Sequence, residues 1–462
     1  MTKTIRISRV LIGIALLTSC RNYEPKPLAL DASERAFLVR TIDAPTLAQY
    51  SAQLGARASA ANAFNAADGL SLDEAELIAL VFNRQLRLAR LEAGVTAATA
   101  ENAGLWRDPR LGVDLSQIVD GVTGGVEAMV SLGLTLPLSG RLELEKQQAQ
   151  AQHRAELVRV AQQEWTVVAD LRRAWVRHAS LAAEAQAAGD FLVRVAQVTA
   201  IVDRMESAGE IARIEARLFR IEDAKLRGQL QAIESDLTRT MHEIESLMGM
   251  PPRSDRNFDA DFAFADALGR EHHDALILRL SAGSPSLAVA RAEYESSELR
   301  LAREMRLQWP DLEIAPGFGE QDGQRQGTLG IGVTLPIIDG NRRAIAEAEA
   351  AREVSRGRTE MELERLISAL LGAEERLAAA ARRRVLLETT LLPLVDTQYA
   401  EAREVARLGE VNTLVLLESL KQQLEAKQQL IAARRDESLA AIDIEEIAGP
   451  QTAMQKKEDA AP

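Results

Sequence analysis

Two periodicities alternate along this chain. From Gly140 to Gly209 the residues Ala, Leu, Glu, Gln and Arg dominate, proline is absent and Gly189 is the one interior glycine. These are strong helix formers. At about 1.5 Å per residue the stretch predicts a single helix on the order of 100 Å long. Helices of globular proteins average roughly 11–12 residues, so no ordinary core would cover such a rod. The same kind of stretch returns from Gly340 to Gly409. Ahead of each rod the period changes from helical to two. Leu111, Val113 and Leu115 alternate with Gly112, Asp114 and Ser116, and residues 119–125 read as a turn. Val130, Leu132, Leu134, Leu136 and Leu138 then alternate with Ser131, Gly133 and Thr135. Leu312, Ile314, Pro316 and Phe318 repeat the first strand, residues 321–326 the turn, and Leu329, Ile331, Val333, Leu335 and Ile337 the second strand.

The order helix, hairpin, rod, tight turn, return helix is therefore expected twice. Ser71 with Glu74 predicts a capping box that starts a helix continuing through Asn83 to about Leu105. The return helices are expected from about Ile211 to Leu247 and from the second turn to about Ile447. Gly332-Val333-Thr334-Leu335-Pro336 restates Gly133-Leu134-Thr135-Leu136-Pro137, and Ser284-Pro285 aligns with Asn83-Arg84. The expected division is a signal peptide at 1–19 and a lipid anchor, extended tether and short helix at 20–69. A first repeat follows at 70–252 with its hairpin at 109–138. After an equatorial linker at 253–283 comes a second repeat at 284–449 with its hairpin at 311–338, then a disordered tail at 450–462.

The N-terminus adds an address. Lys3, Arg6 and Arg9 precede the apolar run Val10–Leu17. That run is far short of the roughly 20 residues that span a bilayer, so it reads as a signal peptide. Leu17-Thr18-Ser19-Cys20 has the form of a lipobox, and Cys20 is the chain's single cysteine. Cleavage before it would leave Cys20 as the lipid attachment point. Arg21 follows, which fits sorting to an outer membrane. Residues 21–45, with Pro25, Pro27 and Pro45, read as an extended tether, and 46–66 as an Ala-rich helix.

Charge narrows the partners. A formal net charge of -13 disfavours nucleic acid, which binds basic faces. Five histidines and one cysteine supply little for a metal or redox centre. His272-His273-Asp274 reads as a solvated loop, since adjacent residues do not share a helix face, and Met248 and Met250 as packing at a helix end. No phosphate loop, dinucleotide glycines or nucleophile triad is found. No enzymatic activity and no cofactor beyond lipid on Cys20 are expected.

Strands of about ten residues with one aliphatic and one small or polar face suit a tilted membrane barrel. Four strands cannot enclose a lumen, and open edges in lipid would leave backbone groups unsatisfied. Sister copies must supply the rest; three would give twelve strands. A small soluble sheet is the other reading of the hairpins.

At Leu70-Ser71-Leu72-Asp73-Glu74-Ala75, Gly104-Leu105-Trp106-Arg107-Asp108-Pro109, both Thr-Leu-Pro strand ends and Leu391-Leu392-Pro393, the chain resembles the TolC-type outer-membrane factors of tripartite efflux pumps. The resemblance runs from about Leu70 to Ile447. The segment around Trp106 looks most like the heavy-metal-cation branch. The resemblance implies a mainly α chain with a transmembrane β-barrel: a homotrimer whose twelve-stranded barrel, four strands per protomer, continues into a long periplasmic α-helical tunnel. It implies a passive exit duct in outer-membrane lipid for small molecules or metal cations, driven by an inner-membrane transporter through a periplasmic adaptor. Ala208-Gly209 and Leu408-Gly409 match the tips that meet the adaptor, although Glu210 and Glu410 depart from the usual next residue. Leu414 and Glu418 match the entrance constriction and its acidic ring, with Val415 where some members carry a second carboxylate. Glu418 also reads as an ordinary solvated helix residue. Trp106 and Trp309 read either as interfacial anchors or as packing at the helix–strand junction. The alternative function is a structural or adaptor coiled-coil lipoprotein of the periplasm, although no lipoyl-like β segments separate its helical arms.

Overall fold

The computed structural model describes residues 23–42, 69–117, 126–253, 258, 272–321, 324–407 and 413–450. The signal peptide, Cys20, the Ala-rich 46–66 helix, Leu408-Gly409 and nearly all of the tail lie outside these residues. The chain divides at Thr41 into two compact units. The first contributes α1 (Leu30–Leu38), all of it exposed. This corrects the extended tether: no proline falls between Leu28 and Leu38, and Asp31 in the first turn favours the helix's positive end.

In the second unit, α2 (Leu72–Phe82) opens with the expected capping box. The Ser71 hydroxyl accepts from the Glu74 N–H, and the Glu74 carboxylate accepts from the Ser71 N–H at 2.9 Å. The helix does not run on to Leu105. It breaks at Asn83, whose extended backbone restarts the chain as α3 (Arg84–Glu101). The Asn83 side chain accepts from the N–H groups of Gln85 and Leu86 and donates to the Leu247 carbonyl at 2.7 Å. Asparagine supplies the N-cap the new helix needs. The break has a counterpart where α6 (His273–Gly283) gives way at Ser284 to α7 (Pro285–Arg306), with Pro285 in the first turn. His273 thus begins a helix rather than lying in a loop, and its ring nitrogen pairs with Glu374 at 2.9 Å.

Strands β1 (Arg110–Gln117), β2 (Val126–Leu136), β3 (Leu312–Gln321) and β4 (Gln324–Val333) form one antiparallel sheet in the order β1-β2-β3-β4. The two hairpins are therefore one surface, joined by β2–β3 pairs such as Val130 with Phe318. β4 ends at Val333, short of the expected Ile337, ahead of the ladder-breaking Pro336.

The first rod is one helix as expected: α4 (Arg141–Ala208), 68 residues without a break. It packs on the return helix α5 (Arg213–Leu247). The second rod is interrupted. α8 (Arg342–Leu386) passes into a π-turn at Leu387–Leu391 before continuing as α9 (Leu392–Arg407). Pro393 has no N–H, and its ring would press on the carbonyl of Thr389 in a regular helix. The wider turn, in which the Leu392 N–H reaches back to the Leu387 carbonyl, relieves this. α10 (Thr413–Ala448) is the last return helix.

Hydrophobic clusters hold this unit along its length. Ile78, Leu86, Leu171, Trp175, Ile244, Met248 and Phe258 form the largest, with Trp175 edge-on to Phe258 at 5.3 Å. Met248 and Met250 are buried at the end of α5. Leu276, Leu280, Leu287, Leu366, Leu370 and Ile444 form a second cluster among α6, α7, α8 and α10. Towards the far end, Phe191, Val195, Leu226, Leu420 and Leu424 join α4, α5 and α10, and Val202, Phe219 and Leu417 continue that seam.

Candidate functional site

The sheet carries the first functional surface. Directly opposed residues share a face, so the register sorts the side chains. Val113, Val130 and Phe318 lie in one row; Leu134, Ile314 and Ile331 in another; Leu136, Leu312 and Val333 in a third. Most of these aliphatic positions are exposed, Leu111 and Leu115 at 70% and Ile331 at 67%. The burial expected of such residues is therefore missing across a contiguous area, and such a patch marks a surface that meets lipid or protein. The opposite face carries Gly112, Ser131, Gly317 and Thr328 in one row and Asp114, Met129, Gly319 and Gln326 in the next. A Cβ at Gly319 would stand 2.4 Å from the Ala128 carbonyl. Small residues let the strands approach on that side. The aliphatic face turns polar near the hairpin turns, with Gln117 at the end of β1 and Glu320 opposite Arg325. Among the described residues β1 pairs only with β2 and β4 only with β3, so each outer edge is open. No described helix is long and apolar enough to cross a membrane.

The junction between sheet and helices is fixed by charge. The Arg141 guanidinium meets Asp311 at 3.2 Å. At the other hairpin Asn341, with φ of 55°, donates its amide to the carbonyl and to the carboxylate of Glu304, both at 2.9 Å. Burial raises the Glu304 carboxyl, but donation from Asn341 and Arg303 outweighs it and holds the group below its ordinary value. Trp106 and Trp309 flank this junction, both exposed at 64%, so neither ring is packed between helix and strand.

At mid-length two adjacent arginines of α4 gather five carboxylates. Arg172 pairs with Glu76 at 2.6 Å and Glu445 at 2.5 Å, and Arg173 with Asp170, Asp443 and Glu446. Burial lowers the Arg172 pKa, yet Glu76 and Glu445 raise it overall. Sequence reasoning missed this cluster, because its partners lie on three helices far apart in the chain.

At the far end, Gly209 takes a left-handed conformation with φ of 78° and closes α4. Its N–H donates to Glu206, and that of Glu210 to Met205, which satisfies the last carbonyls. Ala208 is exposed beside it. Leu408 and Gly409, the matching pair, fall outside the described residues. Leu414 and Glu418 lie one turn apart near the start of α10 and both are exposed, as is Val415 between them, while Leu417 packs inward. The Glu418 carboxylate accepts from Gln422 at 3.2 Å. Glu418, Gln422, Glu425 and Gln429 recur at helical spacing along α10. Glu425 and Gln429 line a cleft of about 440 Å³ with Glu184 of α4 and Arg383 of α8. That stripe was present in the sequence as a period of acids and amides. No cluster of three or more metal-ligating side chains occurs among the described residues.

A sheet with an exposed aliphatic face, continued by paired helices of this length, is the fold of outer-membrane channels. Among solved structures the chain is similar to the outer-membrane channel OprN, with a TM-score of 0.70 at 17% identity over 82% of this chain and 90% of that one. It is similar to CusC, described in terms of transmembrane channel formation, at 0.68 and 16% over 82% and 92%. The outer membrane protein VceC of Vibrio cholerae gives 0.68 at 15% over 82% and 96%. No family model matches the chain. In sequence it is 24% identical over 273 residues to the cobalt-zinc-cadmium resistance protein CzcC of Cupriavidus metallidurans, 57% of this chain and 62% of that protein. The resemblance to TolC-type outer-membrane factors is thus met at the level of the fold.

Proposed function

We propose that the protein is the outer-membrane channel of a tripartite efflux system, a passive exit duct with a large periplasmic portion in a Gram-negative bacterium. One observation carries this reading: a four-stranded sheet whose aliphatic face is exposed and whose two edges are open, set on helices tens of ångströms long. In lipid such edges must pair. A homotrimer built from three copies of the duplicated unit would pair β4 of one protomer with β1 of the next and close twelve strands around the glycine-rich face. Cys20 would carry lipid after removal of residues 1–19. The Ala208-Gly209 and Leu408-Gly409 turns would meet a periplasmic adaptor, which joins the duct to an inner-membrane transporter.

For the cargo we carry over the metals in the name of CzcC, transition-metal cations. The Glu418 carboxylate and the acids and amides along α10 suit a cation path, and Leu414 would narrow it one turn away. Trp106 and Trp309 would sit at the membrane interface.

The test is fractionation followed by planar-bilayer recording of the purified chain. Outer-membrane trimers with cation-selective conductance support the reading, and Glu418→Ala should weaken cation preference. A chain that remains in the soluble periplasmic fraction and conducts nothing belongs to the rival class, a structural or adaptor lipoprotein.

A further inference from the structure

The two long segments differ in one respect. α4 runs unbroken for 68 residues, whereas α8 and α9 are separated by the π-turn at Leu387–Leu391. Pro393 removes a donor just beyond the turn. Thr389 draws the Val385 carbonyl to its own hydroxyl at 2.7 Å, a bond that bends helices. Among the described residues of the two segments, the regular ladder is interrupted only between α8 and α9.

Charged side chains bridge that place. Glu388, inside the π-turn, accepts from Arg384 at 2.9 Å on its own helix and from Arg434 of α10 at 2.8 Å. Arg384 also pairs with Glu437 of α10 at 2.6 Å. The four residues tie the weak turn to the return helix. Glu437 is buried and holds Arg384 in place, whereas Glu388 and Arg434 are partly exposed, so that pair can part without stranding a charge in a core.

We propose that the π-turn is a hinge and that the Glu388–Arg434 pair is its latch: with the latch open, α9 bends against α8 while α4 stays straight. That this swing moves Leu414 and Glu418 and so gates a channel rests on the function proposed above. The hinge itself does not.

The test is the distance between spin labels in the full-length chain in lipid, diluted with unlabelled chain, with Cys20 replaced. Labels at exposed Glu375 and Glu401 bracket the π-turn, and labels at Ala161 and Gln186 bracket a similar length of α4. The first pair should give the broader distribution. Glu388→Gln and Arg434→Gln should each enlarge its shorter-distance population. Deleting Thr390 together with Pro393→Ala, which restores a regular helix, should narrow it to that of the α4 pair. Equal widths for the two pairs, unmoved by the latch substitutions, would overturn the hinge. Hinge distances that respond while conductance does not would leave the hinge standing and refute its role as a gate.

Discussion

The Arg141 guanidinium and the Asp311 carboxylate, 170 positions apart in sequence, meet at 3.2 Å with side chains exposed by only 12% and 21%. The pair joins the first turn of the longest helix to the residue leading into β3, so it fastens the exit of one hairpin to the start of the other. Asp311→Asn keeps the shape and removes the charge, leaving Arg141 with Glu145 at 4.0 Å as its nearest carboxylate. The expected loss is about 1–3 kcal/mol, read as a lower midpoint in denaturant. A double substitution with Arg141→Gln should cost less than the sum of the singles.

The two sheet faces should respond oppositely to the same charge. Val130 stands between Val113 and Phe318 on the aliphatic side, and its neighbour Ser131 faces the other way. Val130→Arg should cost roughly 2–4 kcal/mol of membrane insertion and deplete the protein from outer-membrane fractions. Ser131→Arg should leave insertion intact and lower single-channel conductance.

Two glycines on or beside α5 should differ in sign. Gly249 has φ of 69°, and a Cβ there would lie 2.1 Å from the Phe82 carbonyl, at the break between α2 and α3. Gly249→Ala must at least bear a left-handed backbone cost of about 1–2 kcal/mol. Gly228, within α5, has nothing within 4 Å of its added Cβ. Gly228→Ala should therefore stabilise by about 0.5–1 kcal/mol. Thermal unfolding of both variants checks the contrast.

Acid should loosen the hairpin junction. Burial pushes the Glu304 carboxyl up, but its bonds from Asn341 and Arg303 bring it below the ordinary 4.5. A depressed folded-state value stabilises the protein above the unfolded value, and the contribution fades as pH falls below 4.5 through the folded one. Glu304→Gln should remove that portion of the acid dependence while leaving stability at neutral pH lower. Stability profiles between pH 3 and 7 would show the difference.

The helical rod, the capping box at Ser71 and the alternation of the strands could be read directly, because each depends on local propensity or a short period. The break at Asn83 could not. Its geometry depends on the Leu247 carbonyl, which the chain delivers 164 residues later. The second rod was expected to run on through Pro393, and the π-turn found there depends on which carbonyl the Leu392 N–H can reach around the proline. The same limit hid the Arg172 and Arg173 cluster. Of the candidate site, the Gly209 turn followed from turn chemistry and Glu418 was marked only by the resemblance, whereas the cleft with Glu184 and Arg383 needed three helices to be brought together.

Equal spacing separates the paired glycine markers, Gly140 to Gly209 and Gly340 to Gly409, but the π-turn spends one residue on width instead of height. Each α-helical residue turns the chain by about 100°. Below Leu391, then, positions matched by counting from those glycines point in different directions on the two segments. A ring of side chains on one segment thus has no twin on the other, and a tunnel of alternating segments would be chemically uneven around its circumference.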